Sequence, residues 1–209
     1  MSPIEKFFVN SGRRQRSRVA QAKRLLAQVS LVDAREYLEI GCGAGAVARS
    51  VATDFALNAT GVDIDRGQVE LATRRAAGLP NLIFLEADAA CLPFEDRRFD
   101  VVLSFMATHH IVDVSAALGE IRRVLKPGGY FVYSDIFLPG IVAAMGAVFG
   151  HGYHLPRSGA LRSAVEHHGF AEVFASRQAP QFYGHFEAVY LLGPNPSSSG
   201  ARVSDPTLR

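Results

Sequence analysis

Short continuous apolar runs alternate along the middle of the chain with stretches whose apolar positions recur every third or fourth residue. Tyr37–Ile40, Ala59–Ile64, Leu82–Leu85, Phe99–Ser104 and Tyr130–Asp135 read as strands. Val47, Val51 and Phe55 mark a helix over Gly45–Phe55, and Val69, Ala72 and Ala76 mark a second over Gly67–Ala77. Val114, Leu118, Ile121 and Leu125 mark a third. Pro127 ends it, because the residue before a proline avoids the helical region, and Gly128 and Gly129 turn the chain into the fifth strand. Phe99–Ser104 is apolar throughout, as a parallel strand covered on both faces is. Ser158–His168 reads as a helix with Leu161 and Val165 inward and Gly169 as its C-cap. Phe170–Ser176 and Phe186–Leu192 read as two closing strands. Strands alternating with helices predict an α/β sandwich around a mainly parallel sheet.

The ends and one insertion depart from this rhythm. Residues 1–30 form a basic segment predicted to be helical, with an apolar stripe at Val19, Ala22, Leu26 and Val29. Its charges, Lys6, Arg13, Arg14, Arg16, Arg18, Lys23 and Arg24 against Glu5, read first as a solvated helix face. The sharper reading is attraction to an acidic substrate or peripheral contact with an anionic membrane. Residues 31–193 form the main domain, and the Pro-, Ser- and Gly-rich 194–209 are expected to be a disordered tail. Residues 137–156, FLPGIVAAMGAVFGHGYHLP, carry no Asp, Glu, Lys or Arg. They read as a substrate cover lined by Phe137, Met145, Phe149 and Tyr153, or equally as a helix packed on the sheet. Glycines and prolines interrupt them, so no membrane span is expected.

Composition adds bounds rather than chemistry. The 209 residues are enough for one domain with a substantial core; 48% are hydrophobic and 20% charged, as in soluble globular chains. A net charge of +2 is too small to imply a polyanionic partner. Cys42 and Cys91 form no CxxC pair, so neither a disulfide framework nor a structural zinc site is expected, and a reducing, cytoplasmic location fits.

The candidate chemistry begins where the first strand ends, in LEIGCGAG. Gly41, Gly43 and Gly45 allow a sharp turn and close approach of a ligand to the backbone, and the following helix points its free N–H groups at the same space. Gly41 to Ala46 also satisfies the dinucleotide pattern, and Asp63 stands at the end of the second strand, where a carboxylate accepts from ribose hydroxyls. Local spacing therefore leaves NAD and other adenosine cofactors equally open.

Later motifs separate them. LEIGCGAG, GVDID, LEADAACLPFEDRRFDVVLS and EIRRVLKPGGYFVYSD occur in the order found in the class I S-adenosylmethionine-dependent methyltransferases. The chain resembles that family over about residues 35–136, in particular the small-molecule group that includes the ubiquinone and menaquinone methyltransferases. The resemblance implies a Rossmann-like, doubly wound sheet of seven strands, mostly parallel with an antiparallel last strand. It implies S-adenosylmethionine as cofactor, with Glu39 as the acidic residue of the first motif. Gly41, Cys42, Gly43 and Gly45 would form the methionine side, and Asp63 would hold the ribose. Ile64 would pack on adenine, Asp88 and the Ala89 N–H would meet its edge, and Ser104 would sit near the methionine amino group or sulfonium.

Methyl transfer from a sulfonium needs alignment more than acid–base help, so the lack of an obvious catalytic triad is no objection. His109 and His110, just past the fourth strand, are the candidate general bases; His151 and His154 are alternatives, and no metal site is expected. The acceptor is expected to be a small molecule, leaning towards an apolar, quinone-like or lipid-like one. Ser104-Phe105-Met106-Ala107 stands where amino-methylating nucleic-acid enzymes carry Asn/Asp-Pro-Pro-aromatic, which argues against a nucleic-acid substrate. An NAD-linked oxidoreductase and a non-catalytic S-adenosylmethionine-binding protein remain the competing readings. Nothing in the sequence sets the oligomeric state.

Overall fold

The computed structural model describes residues 12–137, 158–178 and 184–193. The chain runs α1 (Gly12–Leu26), β1 (Glu36–Ile40), α2 (Ala46–Asp54), β2 (Asn58–Asp63), α3 (Arg66–Arg75), β3 (Leu82–Glu86) and β4 (Phe99–Phe105). A short 3₁₀ turn (Thr108–His110) follows, then α4 (Val114–Val124), β5 (Leu125–Phe137), α5 (Ser158–His167), β6 (Phe170–Gln178) and β7 (Gly184–Leu192). Seven strands make one sheet in the order β3-β2-β1-β4-β5-β7-β6. The first five are parallel, and β7 runs antiparallel to both β5 and β6. This is the doubly wound, mostly parallel α/β sandwich that the sequence predicts, with its last strand antiparallel.

Both faces of the sheet are buried, which explains the continuous apolar strands. On one face α1, α2 and α3 set Leu25, Val51 and Ala72 against Tyr37, Ala59 and Val101. On the other, α4 and α5 set Leu118, Ile121 and Val165 against Leu38, Val102 and Phe131. Asp65 and Asp113 cap α3 and α4 by accepting from the Gln68 and Ala116 N–H groups.

One boundary differs from the sequence reading. Leu125, counted there as the last apolar position of a helix, already pairs with Phe99 as the first residue of β5. The strand then runs through Pro127-Gly128-Gly129, and its register with β4 shifts between Phe99 and Val101. Leu125 fits the helical period and the strand equally well, and its burial in the sheet decides the matter. The expected cover at 137–156 falls, after Phe137, outside the described residues, as do His151, His154 and the tail at 194–209.

The loop from β3 to β4 is held by α4. The Arg123 guanidinium donates to the Phe94 carbonyl at 2.6 Å and the Leu92 carbonyl at 3.0 Å, and pairs with Glu120 and Asp96. Glu120 in turn accepts from the Leu92 N–H at 2.7 Å. Arg123→Met keeps the stem and removes these bonds. It is expected to lower stability by about 1.5–3 kcal/mol, the scale for hydrogen bonds to a charged group, as read by urea unfolding.

Candidate functional site

The strand order reverses at β1, which has β2 on one side and β4 on the other. In open α/β sheets the crevice beyond the carboxyl ends at that point is where ligands sit. The β1–α2 turn occupies it. Gly43 has a left-handed φ of +52°, and a Cβ added there would meet nothing within 4 Å. Gly45 also has a left-handed φ, +75°, but its missing side chain makes room for the Phe84 ring, whose Cζ would lie 2.5 Å from a Cβ. Of these two glycines, Gly43 faces open space and Gly45 lets α2 pack on β3.

Asp63, at the end of β2, ties the turn to the neighbouring strand. Its Oδ2 accepts from the Gly43 N–H at 2.8 Å, and its Oδ1 accepts from the Asp65 N–H at 2.9 Å. The next residue, Ile64, projects 71% exposed. Asp88 folds its own loop by accepting from the Ala90 N–H at 2.9 Å, beside the buried Ala89.

Glu39, the penultimate residue of β1, is only 3% exposed, and its Oε2 has no hydrogen-bond partner. It lines a cavity of about 30 Å³ together with Gly41, Cys42 and Gly43 of the turn and Gln15 and Arg18 of α1. Burial pushes the Glu39 carboxyl up to about 8, against the opposing pull of the Ala48 N–H and of Arg18; Asp63 adds to the rise. At neutral pH the group is therefore largely protonated. Burial also lowers the affinity of Arg18 for its proton, while the Glu39 charge restores part of it.

Beyond β4 the backbone passes through a left-handed Met106 into the 3₁₀ turn. His109 is buried there, and His110 is exposed with its ring centroid 4.1 Å away. Asp135, near the end of β5, holds His109 twice: its Oδ1 lies 2.6 Å from Nδ1, and its Oδ2 accepts the His109 backbone N–H at 3.1 Å. Ser104 turns its Oγ to the Thr108 Oγ1, 3.0 Å away, inside the core. The small cavity therefore gathers Glu39, Gly41, Cys42 and Gly43; Asp63 joins them through Gly43, and Ser104, Asp88 and the histidines are not among its lining residues. Two residues were missed at the sequence level. Asp135 ends an otherwise apolar strand, a signal that could have been read; Arg18 looked like one more charge on a solvated helix.

Residues 38–133 match the methyltransferase domain model Methyltransf_11. Over that stretch the chain is similar to methyltransferases, in keeping with the class I S-adenosylmethionine-dependent family that its motifs resemble. It is 38% identical over 135 residues to phthiotriol/phenolphthiotriol dimycocerosates methyltransferase 1 of Mycobacterium ulcerans, covering 64% of this chain and 49% of that one. It is 38% identical over 105 residues to the fatty-acid O-methyltransferase of Mycolicibacterium smegmatis, covering 50% of this chain and 38% of that one. The chain thus spans about half or less of the length of these curated relatives. Its fold is that of Haemonchus contortus phosphoethanolamine N-methyltransferase 2, solved with S-adenosylhomocysteine: TM-score 0.74 at 18% identity, covering 86% of this chain and 53% of that one. Among the described residues no helix is long and apolar enough to cross a membrane, and no cluster of residues could hold a metal ion.

The Glu39 carboxyl yields a stability prediction. Its folded value stands above the ordinary carboxylate range, so the unfolded chain gives up this proton at lower pH than the folded one. That contribution is fully present below about 4.5 and is lost as pH rises through about 8. Urea unfolding should show stability falling across that window, and Glu39→Gln should flatten the fall. A Glu39→Gln curve parallel to wild type would remove the buried acid from the account.

Proposed function

We propose that the chain binds S-adenosylmethionine at the β1–α2 turn and transfers its methyl group to a small, lipid-like acceptor. The observation that carries the reading is the partnerless, buried Glu39 oxygen facing a turn whose Gly43 opens onto free space. A buried acceptor of this kind calls for a cationic donor, and the cofactor's methionine end carries an ammonium group. The donor set thus fits the cofactor that the family implies. The lipid-like acceptor is supported by the activities for which the two mycobacterial relatives are named. The free thiols of Cys42 and Cys91 suit a cytoplasmic setting.

When bound, S-adenosylmethionine supplies an activated methyl group on a sulfonium whose departure leaves a neutral thioether. Glu39 would accept the ammonium, Gly41 to Gly43 would border the methionine end by backbone, and the Asp63 carboxylate would receive the ribose hydroxyls. Ile64 would cover one face of adenine, with Asp88 and the Ala89 N–H at its edge. Where the acceptor is a hydroxyl, His109 is the base. The Asp135 carboxylate, 2.6 Å from Nδ1, orients the ring and faces the charge that would develop there on proton transfer.

Calorimetry tests the cofactor first. S-adenosylmethionine and S-adenosylhomocysteine are expected to bind at micromolar Kd or tighter, and NAD not at all; NAD binding with no response to the sulfur compounds would end the reading. Asp63→Ala should weaken S-adenosylhomocysteine by about 1.5–3 kcal/mol, and Asp63→Asn by less, because its amide oxygen still accepts.

For catalysis, His109→Asn and Asp135→Asn are expected to lower turnover on a hydroxyl or carboxyl acceptor by roughly 10²–10⁴-fold with cofactor affinity unchanged. Full turnover in the folded His109 variant would assign the chemistry to alignment alone.

A further inference from the structure

α1 carries Arg13, Arg14, Arg16, Arg18, Lys23 and Arg24 and no acid, in a chain whose net charge is only +2. The fold engages the second half of that helix. Arg24 donates to the buried Glu187 of β7, Lys23 pairs with Asp54 at the end of α2 at 2.8 Å, and Arg18 lines the Glu39 cavity. Arg13 and Arg16 are exposed, three residues apart on one side of the helix, and neither meets a carboxylate among the described residues. Like charges at that spacing repel and cost the helix stability.

Arg16 lines a groove between α1 and α2. The groove holds about 590 Å³, which falls in the range of small-molecule sites, roughly 300–1,000 Å³. Val19 and Ala20 of α1, Ala46 of α2 and Leu79 beyond α3 give it an apolar lining. Arg49 of α2 lines it too, and its Nη1 donates to the Arg75 carbonyl at the end of α3 at 3.3 Å, which fixes the guanidinium there. Asp54 is the one carboxylate among the described lining residues. Lys23 and the Ser50 hydroxyl, 2.5 Å away, already answer it. Two guanidinium groups and an apolar wall are left with no anion of the groove's own to meet them.

A free phosphate would answer the cations alone, and an uncharged lipid the apolar wall alone. The headgroup of an anionic lipid, with the first carbons of its chains, answers both. We infer that the α1–α2 groove docks on an anionic membrane, seating a lipid phosphate against Arg16 and Arg49 with Arg13 beside the surface. The groove and the Glu39 cavity share Gln15 and Ala46 as lining residues, so the docked surface borders the crevice. The lipid-like acceptor proposed above would reach the crevice from that same bilayer. Docking itself needs only the charge and the apolar wall, so the inference stands without the cofactor.

The test is co-sedimentation of the full chain with vesicles, in the absence of cofactor. Vesicles of phosphatidylcholine containing phosphatidylglycerol should carry the protein down, vesicles of phosphatidylcholine alone should not, and high salt should release it. Arg16→Gln and Arg49→Gln should each weaken binding about fivefold, and the double variant about 25-fold, the scale for one basic residue at an anionic surface. Arg16→Lys and Arg49→Lys keep the charge and should stay within about twofold of wild type. Arg122→Gln removes the same charge from α4, on the other face of the sheet, and should bind as wild type does. Equal binding to both vesicle types, binding to neither, or an equal loss in Arg122→Gln would overturn the inference. So would capture of a duplex oligonucleotide, or self-association abolished by Arg16→Gln, in place of vesicle binding. None of these outcomes touches the S-adenosylmethionine reading, which calorimetry tests by itself.

Discussion

A carboxyl group shut away from water at the end of β1, with one oxygen left without a partner, constrains everything around it. Such a group is costly unless a donor reaches it, and the fold supplies only part of what it needs. The Ala48 N–H at the start of α2 reaches it from one side and the Arg18 charge from another. Neither offsets the burial, so the carboxyl keeps its proton at neutral pH. The sheet could have buried an apolar residue there at no such cost. The acid it holds instead is a buried polar group that the fold itself leaves partly unsatisfied.

The surrounding structure serves to hold that place open. Gly43 removes the side chain that would fill it, and Asp63 pins the Gly43 N–H so that the turn keeps its left-handed shape. On the far side, α1 is strapped across by a buried carboxylate of β7, which accepts from Gln21 and Arg24. Because β7 is inserted between β5 and β6, Glu187 lies beside Ser134 in the sheet register and reaches the helix that precedes the first strand. The ends of the domain thus meet at the crevice, and the chemistry on β4 and β5 stands next to it. Asp135 and His109 come together because β4 and β5 are parallel neighbours.

How much of this was legible follows from the range of each interaction. Strands, helices and the glycine turn are written in short windows: apolar runs, three-to-four spacing and left-handed positions, so Tyr37–Ile40 and Gly41–Gly45 were readable directly. Asp63 was readable because its distance from the turn is set by one βα unit. The ambiguous Leu125 fits two periods at once, and only its pairing with Phe99 resolves it. The His109–Asp135 contact spans 26 residues and depends on strand order, which no local window contains. Arg18 was hidden for a different reason. On a basic helix a charge aimed inward and a charge aimed outward have the same letter, and the inward one is distinguished by Ala22 and Leu25 below it on the same face.

The central claim is that Glu39 waits, protonated, for a cationic group. It is tested most directly by the protons exchanged when S-adenosylhomocysteine binds at pH 7, measured by titration calorimetry in two buffers of different ionisation enthalpy. The account predicts that binding drives Glu39 to ionise, releasing close to one proton per ligand in the wild-type chain and none in Glu39→Gln. Binding with no proton release in the wild-type chain, or with the same release in Glu39→Gln, would contradict it.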